Sequence, residues 1–458
     1  MADLAHPETT TFTAVSPLAF LQQRFSIIDL SGEFRLVDKL QIQRLLGGME
    51  MGDPAFYKRA EAILLMKRFL ESAPHQCKPA QVIDAFWTSP ETVMYTGTAF
   101  TPEHTSACTL NFWVGPKPVA KAGNWVLLRD FLRDIICAGN LSTFDYLIRY
   151  MAHMIQKPEE KPGVMITLLG GQGTGKGVYF SLLMAIWPRT TLLVSDIDQV
   201  TGRFNACLER NFNICMDEAL FAGDRKSMDR LKSIVTEKIL QIEQKYQPSR
   251  SIKSVHRLFA SSNHSHFGNI ELDDRRFVFL PVSNLKQKDT TYFSGIDAAI
   301  NDPITIGALV YYLQRKDLSA FDVRTKPDTT EHIRQKLKSL QGFDRFWYEI
   351  LVTGYFNGTG KDCPLQDNEW TTAVFVPSNV LVDLYKEFHK TAQRHHTVQV
   401  AEVVSSILRL CPSAQSVRRL WNPAGYATSG QKRGLTLPDL ATARTEFERV
   451  IGGKVAWD

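Results

Sequence analysis

Between Val164 and Val178 a mostly apolar run, Val-Met-Ile-Thr-Leu-Leu, breaks into Gly-Gly-Gln-Gly-Thr-Gly-Lys-Gly-Val. Few backbones satisfy both halves. The apolar half reads as a strand buried on both faces, and the glycine-rich half as a tight turn opening a helix near Gly177. In such a turn consecutive backbone N–H groups face one anion, a lysine reaches the outer phosphates, and the positive end of the helix dipole points at them. Gly170, Gly175 and Lys176 keep the G-x-x-x-x-G-K spacing, so the expected cradle comprises Gly170, Gly171, Gln172, Gly173, Thr174, Gly175, Lys176, Gly177 and Val178. Gly177 departs from the pattern, because a Ser or Thr hydroxyl usually supports magnesium there. A glycine-rich turn beside a surface lysine is the bland alternative, so the rest of the chain must decide.

With 458 residues the chain is long enough for about three domains. Its 44% hydrophobic and 22% charged residues are ordinary for a globular protein. No uncharged apolar stretch reaches about 18 residues and Met1 to Pro17 is polar, so a cytoplasmic protein without a membrane partner is expected. Seven cysteines (Cys77, Cys108, Cys137, Cys207, Cys215, Cys363 and Cys411) contain no C-x-x-C pair. They read as mostly reduced core thiols, and no zinc site is expected. A net charge of +5 permits an anionic partner without announcing one.

Along the chain, residues 1–105 mix short helical patterns with turns. One helix is expected over Tyr57–Leu70, with Ala60, Ile63, Leu64 and Phe69 on one face. From Trp125 to Ile155 apolar residues recur at helical spacing, predicting two amphipathic helices ended by Pro158 and Pro162. Short buried strands then alternate with helices from Val164 to Leu280, the signature of a parallel sheet covered by helices. The resulting division is an accessory region (1–105), a helical segment (106–160), an α/β unit with helices on both faces of a parallel sheet (161–325), and a smaller C-terminal domain (326–458).

Downstream of the glycine loop, Phe212–Met216 forms a second apolar strand that ends in Asp217 and Glu218. Asp217 is placed to hold the magnesium of a bound nucleotide and Glu218 to polarise the attacking water; solvated acids at an ordinary strand end are the alternative. Thr191–Val194 is the candidate for a strand between them. A further strand, Val255–Ser262, terminates at Asn263, whose amide can reach a γ-phosphate or the nucleophilic water. Arg275 and Arg276 precede another apolar strand, Phe277–Leu280. They are either solvated loop residues with local salt bridges or a finger projecting into a neighbouring subunit's site. Ile239–Lys253 reads as a β-hairpin whose basic, aromatic tip, Lys245 and Tyr246 with Arg250 and Lys253 beyond it, suits a sequence-blind grip on a nucleic-acid backbone; a solvated hairpin with routine surface charge is the alternative.

In this order the motifs resemble superfamily 3 helicases, AAA+ motors of DNA viruses, phages and mobile elements. Gly170–Gly177 is similar to their Walker A loop, Ile214–Glu218 to Walker B, Leu231–Lys253 to the B′ element with its DNA-gripping hairpin, and Leu258–Asn263 to motif C with sensor 1. The nearest look is to the phage and prophage primase-helicase group related to poxvirus primase-helicases, whose similar loop makes Gly177 a group trait. The resemblance implies ATP with Mg²⁺, the metal held by Asp217 with Thr174 or water. It implies Lys245 and Tyr246 at a central pore, Arg275 as the arginine finger with Arg276 as fallback, and 3′ to 5′ movement on DNA in a homo-hexamer. Residues 106–160 then occupy the position of the oligomerising collar. The tail, Leu381–Cys411 followed by basic Arg418, Arg419, Lys432 and Arg433 and a helix begun by Pro438, looks like a winged-helix module. Residues 1–105 are too short for a primase domain, so a separate primase or other replication proteins would be partners. Two other readings stay open: a DNA-stimulated ATPase that remodels or loads partners, or serves phage defence, without unwinding, and a nucleotide-locked scaffold.

Overall fold

The computed structural model describes residues 16–30, 32–48, 52–72, 77–218, 225–244, 249–327, 329–356, 370–391, 399–421 and 430–457. Its central feature is a five-stranded, wholly parallel sheet. Numbering the strands of this central unit in chain order, they are β1 (Met165–Leu169), β2 (Thr191–Val194), β3 (Asn213–Met216), β4 (Ile239–Ile242), β5 (Arg250–Lys253), β6 (Arg257–Ser262) and β7 (Phe277–Pro281). The sheet runs β7-β1-β6-β3-β2, while β4 and β5 form the expected antiparallel hairpin beside it, pairing Ile239 with Lys253 and Ile242 with Arg250.

Burial on both faces explains the unbroken apolar strands. Ile166, Leu168, Phe259, Val278 and Leu280 face one core; Met165, Ile214, Met216, Leu258 and Phe279 face the other. The first core is closed by helices Lys176–Ile186, Thr290–Asn301 and Pro303–Arg315. The second is closed by helix Arg225–Thr236, whose Met228, Leu231, Ile234 and Val235 repeat at helical spacing.

The helical pair before the sheet differs in detail from expectation. Val126–Asp130 is a single α-turn that runs into a π-helical turn, Phe131–Ile136, before helix Leu141–Gln156 begins. Asn140 caps that helix by accepting a hydrogen bond from the Thr143 N–H at 2.9 Å, a contact worth about 1 kcal/mol. The apolar stripe of the pair, Leu128, Phe131, Leu132, Ile135, Leu147, Ile148 and Met151, is buried against the sheet of the same chain.

Helix Arg59–Glu71 forms close to the expected place, but its buried face is Ala62, Met66 and Leu70, and Leu64 is 61% exposed. The i, i+4, i+8 row wins because it meets Leu21, Phe25 and Phe86 across a four-stranded sheet and its flanking helices. The C-terminal unit has its own core around Trp347, Trp370, Leu381, Ile407 and Phe447. In it, helices Ser378–Thr391, Val400–Leu410 and Leu440–Ile451 cover a three-stranded antiparallel sheet. Gln335 and Ser339 bind this unit to the centre: the Phe267 N–H donates to Gln335 Oε1 and the Ile270 N–H to Ser339 Oγ, each at 2.9 Å. Among the described residues no helix is long and apolar enough to cross a membrane.

Candidate functional site

Register brings the chemistry to one edge of the sheet. Leu169 at the end of β1 pairs with Ser262 of β6, and Ala260 of β6 pairs with Met216 of β3. The glycine loop, Asn263 and the pair Asp217–Glu218 therefore emerge side by side at the carboxyl ends of adjacent parallel strands, where ligand crevices of open α/β sheets lie. Together they line a cavity of about 440 Å³.

The loop needs its glycines. Gly173 and Gly175 have φ of +75° and +99°, and a Cβ on Gly175 would sit 2.7 Å from the Phe293 ring. Gly177 is different: a Cβ there would meet nothing within 4 Å. Helix Lys176–Ile186 starts directly from the loop with Gly175 as its N-cap, leaving its first N–H groups facing the cavity.

Lys176 is 6% exposed, and its Nζ donates at 2.7 Å each to Gly170 O, Gly171 O and Asn263 Oδ1. Burial lowers its pKa, while the Asp217 and Glu218 carboxylates oppose that shift. Asn263 Nδ2 in turn donates to Glu218 Oε1 at 3.1 Å, so one amide joins the lysine to the acid. Asp217 Oδ1 accepts from the Ser261 hydroxyl and, at 3.1 Å, from the Glu218 N–H. Glu218 is held at φ +53°, a left-handed conformation that costs a non-glycine residue about 1–2 kcal/mol. Such strain persists where surrounding contacts fix it, and it clusters at functional sites.

Thr174 is buried, and its hydroxyl donates to Gly171 O at 2.9 Å, inside the loop and not toward the acids. Gln172 and Val178 line the cavity with Gly177. Arg275 is exposed beyond the start of β7, and Arg276 is half-buried with an unpartnered Nε. Between them and the sheet, buried Asp274 accepts from the Arg276 and Phe277 N–H groups and pairs with Lys326 at 3.4 Å. In the hairpin Arg250 forms a two-pronged salt bridge with Glu209, and Lys253 pairs with Glu103. Lys245 and Tyr246 lie outside the described residues.

Three contributors had no expected role. Ser261 orients Asp217. Phe293 packs on the loop at Gly175. The segment after β7 clasps the loop from outside: Gln287 Nε2 donates to Gln172 O at 2.8 Å and the Lys288 N–H to Gly173 O at 2.9 Å. A faint signal existed only for Ser261, which shares the Asn263 side of β6 by alternation.

Residues 168–276, from the end of β1 to Arg276, match a family model described as a family of unknown function (DUF5906). Over 186 residues the chain is 27% identical to the DNA primase-polymerase of Nitratiruptor phage NrS-1, covering 38% of this chain. The chain spans only 25% of the length of that relative. Among solved structures, the apo structure of the NrS-1 C-terminal region superposes with a TM-score of 0.63 at 16% identity, covering 92% of this chain and 99% of that one. An A form of the same region gives 0.61 at 14% identity, with the same coverage. At these identities the likeness is one of fold: a mixed α/β architecture with a parallel sheet and many helices.

Proposed function

We propose that the chain is an ATP-driven motor of phage DNA replication, a P-loop AAA+ ATPase of the superfamily 3 helicase kind. One observation carries the reading. Lys176, Asn263, Glu218, Asp217 and Ser261 form a continuous hydrogen-bonded set beneath a glycine loop at the ends of three adjacent parallel strands. The sequence match to a phage DNA primase-polymerase supports the place in replication.

The donor set suits Mg²⁺, a hard cation that takes oxygen ligands. Asp217 is an oxygen ligand already oriented by Ser261, and water would complete the shell, since the Thr174 hydroxyl is committed to Gly171. When bound, the metal would neutralise charge between the transferring and leaving phosphates.

Lys176 spends its three donors on two carbonyls and Asn263, and an arriving phosphate would take over those bonds. Loss of the Lys176 contact frees Asn263 Oδ1, while Asn263 Nδ2 still touches Glu218. The amide therefore ties the state of the phosphate to the position of the acid. Glu218 accepts a proton from the water that attacks the γ-phosphorus, and Arg275 of a neighbouring subunit in a homo-hexamer stabilises the developing charge. The hairpin bearing Lys245 and Tyr246 then moves along one DNA strand, 3′ to 5′ as the superfamily resemblance implies.

The test is paired. Lys176→Ala should abolish ATP binding and hydrolysis, and forked DNA should be unwound by the wild type alone. Intact hydrolysis in the lysine variant would sink the site assignment.

A second reading keeps the ATPase but replaces unwinding by remodelling or loading of partner proteins. It is favoured by the neutralised state of Arg250 and Lys253, which leaves the described part of the hairpin without free cations. ATP hydrolysis stimulated by DNA without strand displacement would select it.

A further inference from the structure

The C-terminal sheet projects a two-stranded ribbon beyond its own core. Strand Gly430–Leu437 pairs with Val374–Pro377 only from Gly434 to Leu437, whereas it pairs with Gln415–Trp421 from Gly430 to Thr436. Among the described residues its outer half therefore has a single neighbour. In that half Arg418 stands opposite Arg433, and Arg419 opposite Lys432. Residues directly opposite share a face, and successive residues alternate faces. Each side of the ribbon thus carries its own pair of like charges.

All four side chains are exposed, and none makes an ion pair or side-chain hydrogen bond among the described residues. Directly opposed like charges destabilise a ladder. The hairpin β4–β5 in the same chain shows the ordinary remedy, since its Arg250 and Lys253 each have a glutamate. The ribbon lacks that remedy on both faces. Leu420, 66% exposed, continues the Arg418 face toward the tip.

We infer that this ribbon is a second nucleic-acid site, one that lies in a groove of duplex DNA and makes sequence-blind phosphate contacts. A single anionic surface would neutralise one pair and leave the other. A groove has a sugar–phosphate wall on either side, and the major groove admits a two-stranded ribbon. The four cations then meet phosphates on both walls, and contacts of this kind position a protein without reading sequence. The choice of DNA among polyanions rests on the proposed replication role. The site itself requires neither nucleotide nor the chemistry around Lys176.

The experiment is a salt titration of binding by fluorescence anisotropy, with the full chain, no nucleotide, and labelled duplex DNA, single-stranded DNA and duplex RNA as separate probes. The quadruple variant R418Q/R419Q/K432Q/R433Q should lower the slope of log affinity against log salt on duplex DNA by about 3–4. The wild-type advantage would then shrink by about 100-fold between roughly 50 and 200 mM salt. On single strands and on duplex RNA, whose deep, narrow major groove bars the ribbon, the change should be smaller. The melting temperature of the variant should equal or exceed that of the wild type, because repulsion is removed. The charge-preserving variant R418K/R419K/R433K should keep the wild-type slope.

An unchanged slope on duplex DNA would overturn the inference, as would an equal loss on all three probes or loss of binding in the charge-preserving variant. Because no nucleotide is present, failure of the ATPase reading leaves this result intact. Failure here likewise leaves hydrolysis at Lys176 to be judged separately.

Discussion

Ser261→Ala tests how the site orients Asp217, the acid proposed to hold the metal, and it also removes a longer contact in which Ser261 Oγ accepts from the Glu218 N–H at 3.3 Å. The Ser261 hydroxyl is fully buried and donates to Asp217 Oδ1, so its loss removes one hydrogen bond to an ionised group, worth about 1.5–3 kcal/mol. Asp217 would retain only the Glu218 N–H at 3.1 Å and gain freedom to rotate. Partners that orient a metal ligand typically contribute about 10–100-fold to metal affinity, which agrees with that energy. The assay is steady-state ATP hydrolysis at saturating nucleotide with Mg²⁺ titrated. The Mg²⁺ concentration at half-maximal rate should rise about 10–100-fold, and turnover should recover in large part at high Mg²⁺. Removing one hydroxyl from β6 without creating a large cavity should cost no more than that hydrogen bond, about 1.5–3 kcal/mol of stability, visible as a shift in thermal unfolding. A Mg²⁺ curve that superimposes on the wild type would refute the positioning role. So would a rate loss that tracks the melting temperature and ignores added metal.

Glu218→Gln should retain ATP binding, measured by a fluorescent analogue, while turnover falls by at least about 100-fold, the range expected for a lost general base. Gly177→Ser should be tolerated, because the space beyond its Cα is open, with hydrolysis unchanged or reached at lower Mg²⁺; collapse of folding or activity would contradict the geometry. Acid should unfold the protein early. Burial holds His256 and His332 neutral with pKa about 3, and burial with the nearby Arg257 holds His153 at about 4. Their folded values lie below the unfolded one, so the stability they protect is complete above about pH 6.5 and is lost as pH falls toward their folded values, at about 1.4 kcal/mol per histidine per pH unit. A melting temperature flat between about pH 6.5 and 5 would contradict this.

The glycine loop, the strands flanking it and the hairpin were legible in the sequence because each is written in contiguous residues: a buried strand as an unbroken apolar run, a turn as glycines, a hairpin as two alternating segments. The convergence of Asp217, Glu218 and Asn263 followed from the parallel sheet that those runs require. What stayed hidden depends on partners distant in sequence. The buried side of helix Arg59–Glu71 is chosen by Leu21, Phe25 and Phe86, which nothing in its own periodicity reveals. Arg257 sits fully buried at the start of β6, its two terminal nitrogens donating to the Glu160 and Lys157 carbonyls over the Phe212 ring while its Nε has no partner among the described residues, whereas its charge alone argues for a surface. The clasp formed by Gln287 and Lys288 uses backbone carbonyls of the loop, and main-chain acceptors leave no trace in residue type.

The π-helical turn Phe131–Ile136 has a mechanical consequence. Its Phe131 ring stands 3.3 Å from where a Gly175 side chain would begin, and its Ile135 carbonyl accepts the Ser283 N–H of the segment that clasps the loop from the other side. The hinge-like glycines are therefore gripped in a vice with jaws tied to each other. If a phosphate binds this loop as proposed, any shift at Gly175 would press on the Phe131 ring and so reach a π-helical turn, an irregularity frequently found at functional sites.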